Sequence, residues 1–85
     1  MTSELKIRSP NVVASEEGQL QIARVGLSVI FRGQHYFVDS EMLEQLMSIA
    51  VSFRASRAAE ADDAAQIRGF IADTLAFRGF NVEFV

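Results

Sequence analysis

Residues 27–38 constrain the fold more than any other stretch. Leu27, Val29 and Phe31 alternate with Ser28 and Ile30, Arg32-Gly33 breaks the run, and residues 34–38 resume it. A two-residue loop at Arg32-Gly33, where glycine supplies the positive φ of a tight hairpin, pairs Phe31 with Gln34, Ile30 with His35, Val29 with Tyr36 and Leu27 with Val38. One face of this hairpin then carries Leu27, Val29, Phe31, Tyr36 and Val38 and is the core face. The other carries Ser28, Ile30, His35 and Phe37. That second face is too apolar for plain solvent and needs a cover, from the N-terminal segment or from another molecule.

Upstream, Leu20 and Ile22 are apolar at even positions, whereas the hairpin is apolar at odd ones. A one-residue slip exchanges the faces of a strand, so a bulge or a turn near Ala23 to Gly26 must absorb the change of phase. Residues 1–18 are irregular or an edge strand. Leu5-Lys6-Ile7 alternates briefly, Pro10 ends it, Val12-Val13-Ala14 is a short apolar patch, and Ser15-Glu16-Glu17-Gly18 is a turn.

Downstream, Asp39-Ser40-Glu41 has the character of a helix start. Met42, Leu43, Leu46, Met47, Ile49, Ala50 and Phe53 follow at helical spacing. A second periodic set, Ile67, Phe70, Ile71, Thr74 and Leu75, occupies residues 64–78. One continuous helix through Ala58–Asp63 would set Arg57 and Glu60 into the apolar seam, so two helices with a joint near 59–62 are preferred, with Asp62 or Asp63 as the second N-cap. Gly79 suits a helix stop, and Phe80, Val82 and Phe84 alternate as a final strand.

The fold expected is therefore a single α+β domain over residues 1–85. It is a two-layer arrangement with an antiparallel or mixed sheet of three to five short strands, including the hairpin at about 27–38 and the C-terminal strand 80–85. Two helices, about 40–58 and 63–78, pack on one face. At 85 residues such a chain buries only about 60–65% of its unfolded surface, and without disulfides or a metal it often leans on a partner or a second copy.

The chemistry-bearing residues are few. No cysteine is present, which removes thiolate chemistry, disulfides and Cys-ligated metals and fits a cytoplasmic setting. No apolar run reaches the length of a membrane span. His35 is the only histidine, and Ser28 reaches it only in a register other than the one expected. Glu16-Glu17 and Asp62-Asp63 are adjacent pairs and do not face one reacting atom as hydrolytic carboxylates must. No metal-ligand spacing and no phosphate-cradling glycine loop occurs, so no cofactor and no metal is expected. Gly69 lies within a helical pattern at a cost of about 1 kcal/mol against alanine, for which close packing is the expected reason.

The formal net charge is −3, from 11 acids and 8 bases. This disfavours a nucleic-acid footprint, which needs a concentrated basic face. Six of the acids lie in residues 39–63. The expectation is a non-enzymatic protein-binding module, an accessory, regulatory or inhibitor protein, with Ile30, Arg32, His35 and Phe37 as its contact residues. Small phage-encoded inhibitors of host defence machinery share this size and character. The alternatives are nucleic-acid binding through Arg24, Arg32, Arg54 and Arg57, and self-assembly, in which a homodimer covers the hairpin face.

Overall fold

The computed structural model describes residues 4–43 and 47–85. Seven strands form one sheet in simple sequence order: β1 (Lys6–Ser9), β2 (Val12–Ala14), β3 (Gly18–Ala23), β4 (Gly26–Phe31), β5 (Gln34–Met42), β6 (Ser48–Val51) and β7 (Asn81–Phe84). Every neighbouring pair from β1 to β6 is antiparallel, and β6 and β7 are parallel. The sheet curls into a half-barrel. A parallel connection requires a crossover, and here it runs through a short 3-10 turn, Arg57–Glu60, and α1, Ala64–Phe77, the single α-helix among the described residues.

The central hairpin has the register its alternation dictates. Leu27 pairs with Val38, Val29 with Tyr36, Ile30 with His35 and Phe31 with Gln34. Arg32 at φ 49° and Gly33 at φ 81° form its turn. Two consecutive left-handed residues match the twist of the flanking strands. The change of phase upstream is absorbed by a second two-residue turn, Arg24-Val25, with Ala23 paired to Gly26 and Leu20 to Val29.

The inner face of the sheet and one side of α1 make the core. Leu20, Leu27, Val29, Phe31, Val38, Ile49 and Val51 meet Ile67, Phe70, Ile71 and Leu75, with Phe53 and Ala58 closing one end. The helical residues fall at i, i+3, i+4 and i+8, the stripe that one face of a helix presents. Each large side chain so buried contributes about 1.5–3 kcal/mol. Phe31 and Phe70 join sheet to helix, their ring centroids 5.2 Å apart. Thr74, fully buried on the same side, donates its hydroxyl to the carbonyls of Phe70 and Ile71. The helix ends in a Schellman arrangement: Gly79, at φ 92°, donates to Ala76, and Phe80 donates to Leu75.

Three expectations are corrected. A helix at 40–58 does not form. Residues 40–42 extend β5, Ser48–Val51 is β6, and only Arg57–Glu60 makes a helical turn, of the 3-10 kind. Residues 44–46 of that expected helix lie outside the described residues. The physical reason is a double periodicity. Ile49 and Phe53 fall on a helical stripe, but with Val51 they also alternate with Ser48, Ala50 and Ser52, and two of these three are β-branched, which favours the pleated conformation.

The strand count is likewise seven rather than three to five, because the short segments at 6–9 and 12–14 pair with each other and with β3. Finally, Gly69 is not packed closely. A methyl group built there meets nothing within 4 Å. The second expected helix does form, as α1 with Asp63 at its N-cap position. The final strand buries Val82 and Phe84 in part while Asn81 and Glu83 stay exposed.

Candidate functional site

The outer face of the β4–β5 hairpin is uncovered by the rest of the described chain. Ile30 is 40% exposed and Phe37 50% exposed. The N-terminal strands do not fold back across them. They extend the sheet sideways instead, β1 on β2 and β2 on β3. The two faces of the hairpin thus differ completely, since Leu27, Val29, Phe31 and Val38 on the inner side are 0–2% exposed.

The side chains of this outer face are ordered by diagonal contacts. His35 pairs across the ladder with Ile30, yet its Nε2 lies 2.7 Å from the hydroxyl of Ser28. Phe37 pairs with Ser28, yet its ring lies over Gly26, where an added Cβ would be 2.7 Å from Cζ. Both β5 side chains therefore lean by one diagonal step in the same sense along β4. Diagonal neighbours on one sheet face are within reach of aromatic and long side chains. The Ser28–His35 contact thus forms in the very register expected for the hairpin, which corrects the expectation that it needed another. The lean of His35 leaves Ile30 open beside Gln19, its partner on β3.

A Ser–His pair alone does not make a nucleophile. The imidazole has to be oriented by a third group and the reacting centre needs oxyanion donors. This pair lies on an exposed strand face, and among the described residues no further hydrogen bond to the His35 ring is found. Among the described residues, no three His, Asp or Glu side chains gather as metal ligands.

Arg32, at the hairpin tip, faces the other way. Its guanidinium lies 3.2 Å from Glu17 and 3.7 Å from Asp63 and donates to the side-chain oxygen of Gln66. It also sits 4.9 Å from the centre of the Phe31 ring. Its backbone N–H donates to the Glu17 carbonyl. The residue ties the hairpin tip to the β2–β3 turn and to the first turn of α1, while half its side chain stays in solvent. Asp63 caps α1 in position without a side-chain hydrogen bond to it, its carboxylate being turned to Arg32. The sequence carries no local signal for this cluster, because its members are separated by long stretches of chain.

The four arginines of the nucleic-acid alternative do not form one surface. Arg24 sits in the β3–β4 turn and Arg32 in the β4–β5 turn, and in an antiparallel meander these are opposite ends of the sheet. Arg54 and Arg57 lie on the connection after β6. Arg32 is partly neutralised by two carboxylates, which weakens it as a phosphate contact.

A cavity of about 290 Å³ lies elsewhere, lined by Phe53, Arg54, Ala59, Arg68, Phe84 and Val85. Alternation alone assigns Phe84 to the core, and nothing local in the sequence brings Arg68 to it. Among the described residues, no helix is long and apolar enough to cross a membrane. Compared with known proteins, the chain matches no family model, no curated protein and no solved structure.

Proposed function

We propose that this chain is a non-enzymatic protein-binding module, cytoplasmic in setting, that docks through the outer face of the β4–β5 hairpin, acting as an accessory, regulatory or inhibitor protein. The observation that carries the reading is the exposure of Ile30 and Phe37 on one regular, hydrogen-bonded sheet face, on either side of the Ser28–His35 pair. An apolar patch with a polar rim marks an interaction surface on a small protein. His35 and Ser28 supply the polar groups here, held to each other at 2.7 Å, so little side-chain entropy remains to be lost on docking. Arg32 stands at the hairpin tip beside this face, with its guanidinium turned away to Glu17 and Asp63.

Strand addition at a sheet edge is the competing route for such a module. The edges disfavour it. β1 carries Lys6 and Arg8 and β7 carries Glu83, and charged side chains on edge strands oppose pairing with another chain.

The test is affinity recovery of a partner from candidate lysates, with wild-type chain and with the double variant Ile30→Asp, Phe37→Asp. Anchor residues of an interface are worth about 2 kcal/mol or more each. Recovery should therefore be lost in the double variant while its circular dichroism spectrum is unchanged. Undiminished recovery by a folded double variant sinks the reading. Light scattering on the wild-type chain tells a second copy on this face from a different partner.

A further inference from the structure

β6 and β7 are the parallel pair of the sheet. Past their carboxyl ends, at Val51 and Phe84, lies the cavity of about 290 Å³, which Phe53 and Phe84 help to line. Its apolar wall is a pair of rings: Phe53 and Phe84 stand edge to face, with centroids 6.2 Å apart and planes at 81°. Phe53 is itself a core residue, 7% exposed, so this wall is fixed. Ala59, from the 3-10 turn, leaves the space open where a larger side chain would fill it.

Two arginines line the same space. Arg68, on α1, lies 4.3 Å above the Phe84 ring, and Arg54 follows β6. Among the described residues, every ion pair involves Arg32, so neither Arg54 nor Arg68 is held in one. An arginine stacked on a surface phenylalanine is by itself a common way of covering a ring. Two arginines on the lining of one concave, ring-walled space are more specific. Guanidinium forks match carboxylate and phosphate oxygens, and ligand sites join an apolar lining to a few placed polar groups.

We propose that this cavity is a binding site for a small organic anion. Its aromatic or branched apolar body packs against Phe53 and Phe84 above Ala59, and its carboxylate or phosphate is held by Arg54 and Arg68. The site is separate from the outer hairpin face and does not depend on it, so either can fail without the other.

The experiment is a ¹H–¹⁵N NMR titration of the whole chain with phenylacetate, with phenyl phosphate, and with neutral phenylacetamide as the control. Saturable shifts at Phe53, Arg54, Arg68 and Phe84 are expected with at least one of the anions, and which anion does so identifies the head group. The amide should bind about tenfold more weakly or worse, since a hydrogen bond to a charged group is worth about 1.5–3 kcal/mol. Arg54→Gln and Arg68→Gln, both at exposed positions, should each weaken the anion about tenfold. Ala59→Leu should abolish binding by filling the space. If that variant does not fold, the two arginine variants decide alone. Absence of saturable shifts with both anions overturns the proposal. So does equal binding of the amide, or unchanged anion affinity in folded Arg54→Gln and Arg68→Gln chains.

Discussion

The ring of Phe37 lies on Gly26, across the β4–β5 ladder and one step along the diagonal. It is so close that a Cβ on Gly26 would sit 2.7 Å from Cζ. The glycine is what lets a large aromatic lie on the sheet rather than stand away from it. The contact also fixes one half of the apolar outer face.

Gly26→Ala is accordingly expected to lift Phe37 and to destabilise the chain by about 1–3 kcal/mol, the usual range for overpacking. Part of the cost is not relieved by removing the ring, because the new methyl would also lie 2.7 Å from the Val38 carbonyl oxygen. The double variant Gly26→Ala, Phe37→Ala should therefore lose less than the sum of the two single variants, yet remain below Phe37→Ala alone. Urea denaturation of the four chains measures this coupling. Strict additivity would show that ring and glycine do not interact.

Gly18 is the less tolerant glycine. A Cβ there would lie 2.0 Å from the backbone oxygen of Ile30, and a carbonyl in a paired strand cannot swing aside as a side chain can. Gly18→Ala should cost about 3 kcal/mol or more, with a large fall in the urea midpoint. A midpoint within experimental error of wild type would show that β3 and β4 are not paired at Gly18 and Phe31.

Gly69 should behave in the opposite way. It sits inside α1 with nothing within 4 Å of the place a methyl group would take, so alanine gains helix propensity without steric cost. Gly69→Ala should stabilise by about 1 kcal/mol, which for a domain of this size raises Tm by about 4–8 °C. Thermal denaturation checks it. An unchanged or lower Tm would mean that α1 is not a regular helix at this point.

Arg32 links elements remote in sequence through Glu17, Asp63 and Gln66. Arg32→Lys keeps the charge but loses the fork that reaches several acceptors at once. Because the side chain is half exposed, the expected loss is small, about 0.2–1 kcal/mol. It should shrink further in molar salt, where the Debye length is about 3 Å. Denaturation at low and high salt reads both effects, and a loss that grows with salt would contradict the ion-pair account.

How legible each part is in the sequence follows from the range of the forces involved. The β4–β5 register is legible because three local signals agree there: alternation in Leu27–Phe31, alternation in Tyr36–Val38, and a glycine between them. α1 is legible because Ile67, Phe70, Ile71, Thr74 and Leu75 fit one helical stripe and no competing period. β6 is not, because Ile49 and Phe53 satisfy both periods and only Val51 is confined to the strand one. Of the outer face, the residues are legible and their diagonal lean is not, since that depends on how neighbouring strands lie across one another.

By itself, then, the sequence determined the central hairpin, the one regular helix and the inward alternation of Val82 and Phe84, all of which rest on contacts or preferences within a few residues. Tertiary structure alone decided that residues 48–51 extend rather than coil. β6 finds β5 on one side and β7 on the other, and a strand with two neighbours satisfies backbone groups that no local preference can. The same long-range pairing spread the N-terminal segments sideways, left Ile30 and Phe37 in the open, and carried Arg68 to the ring of Phe84.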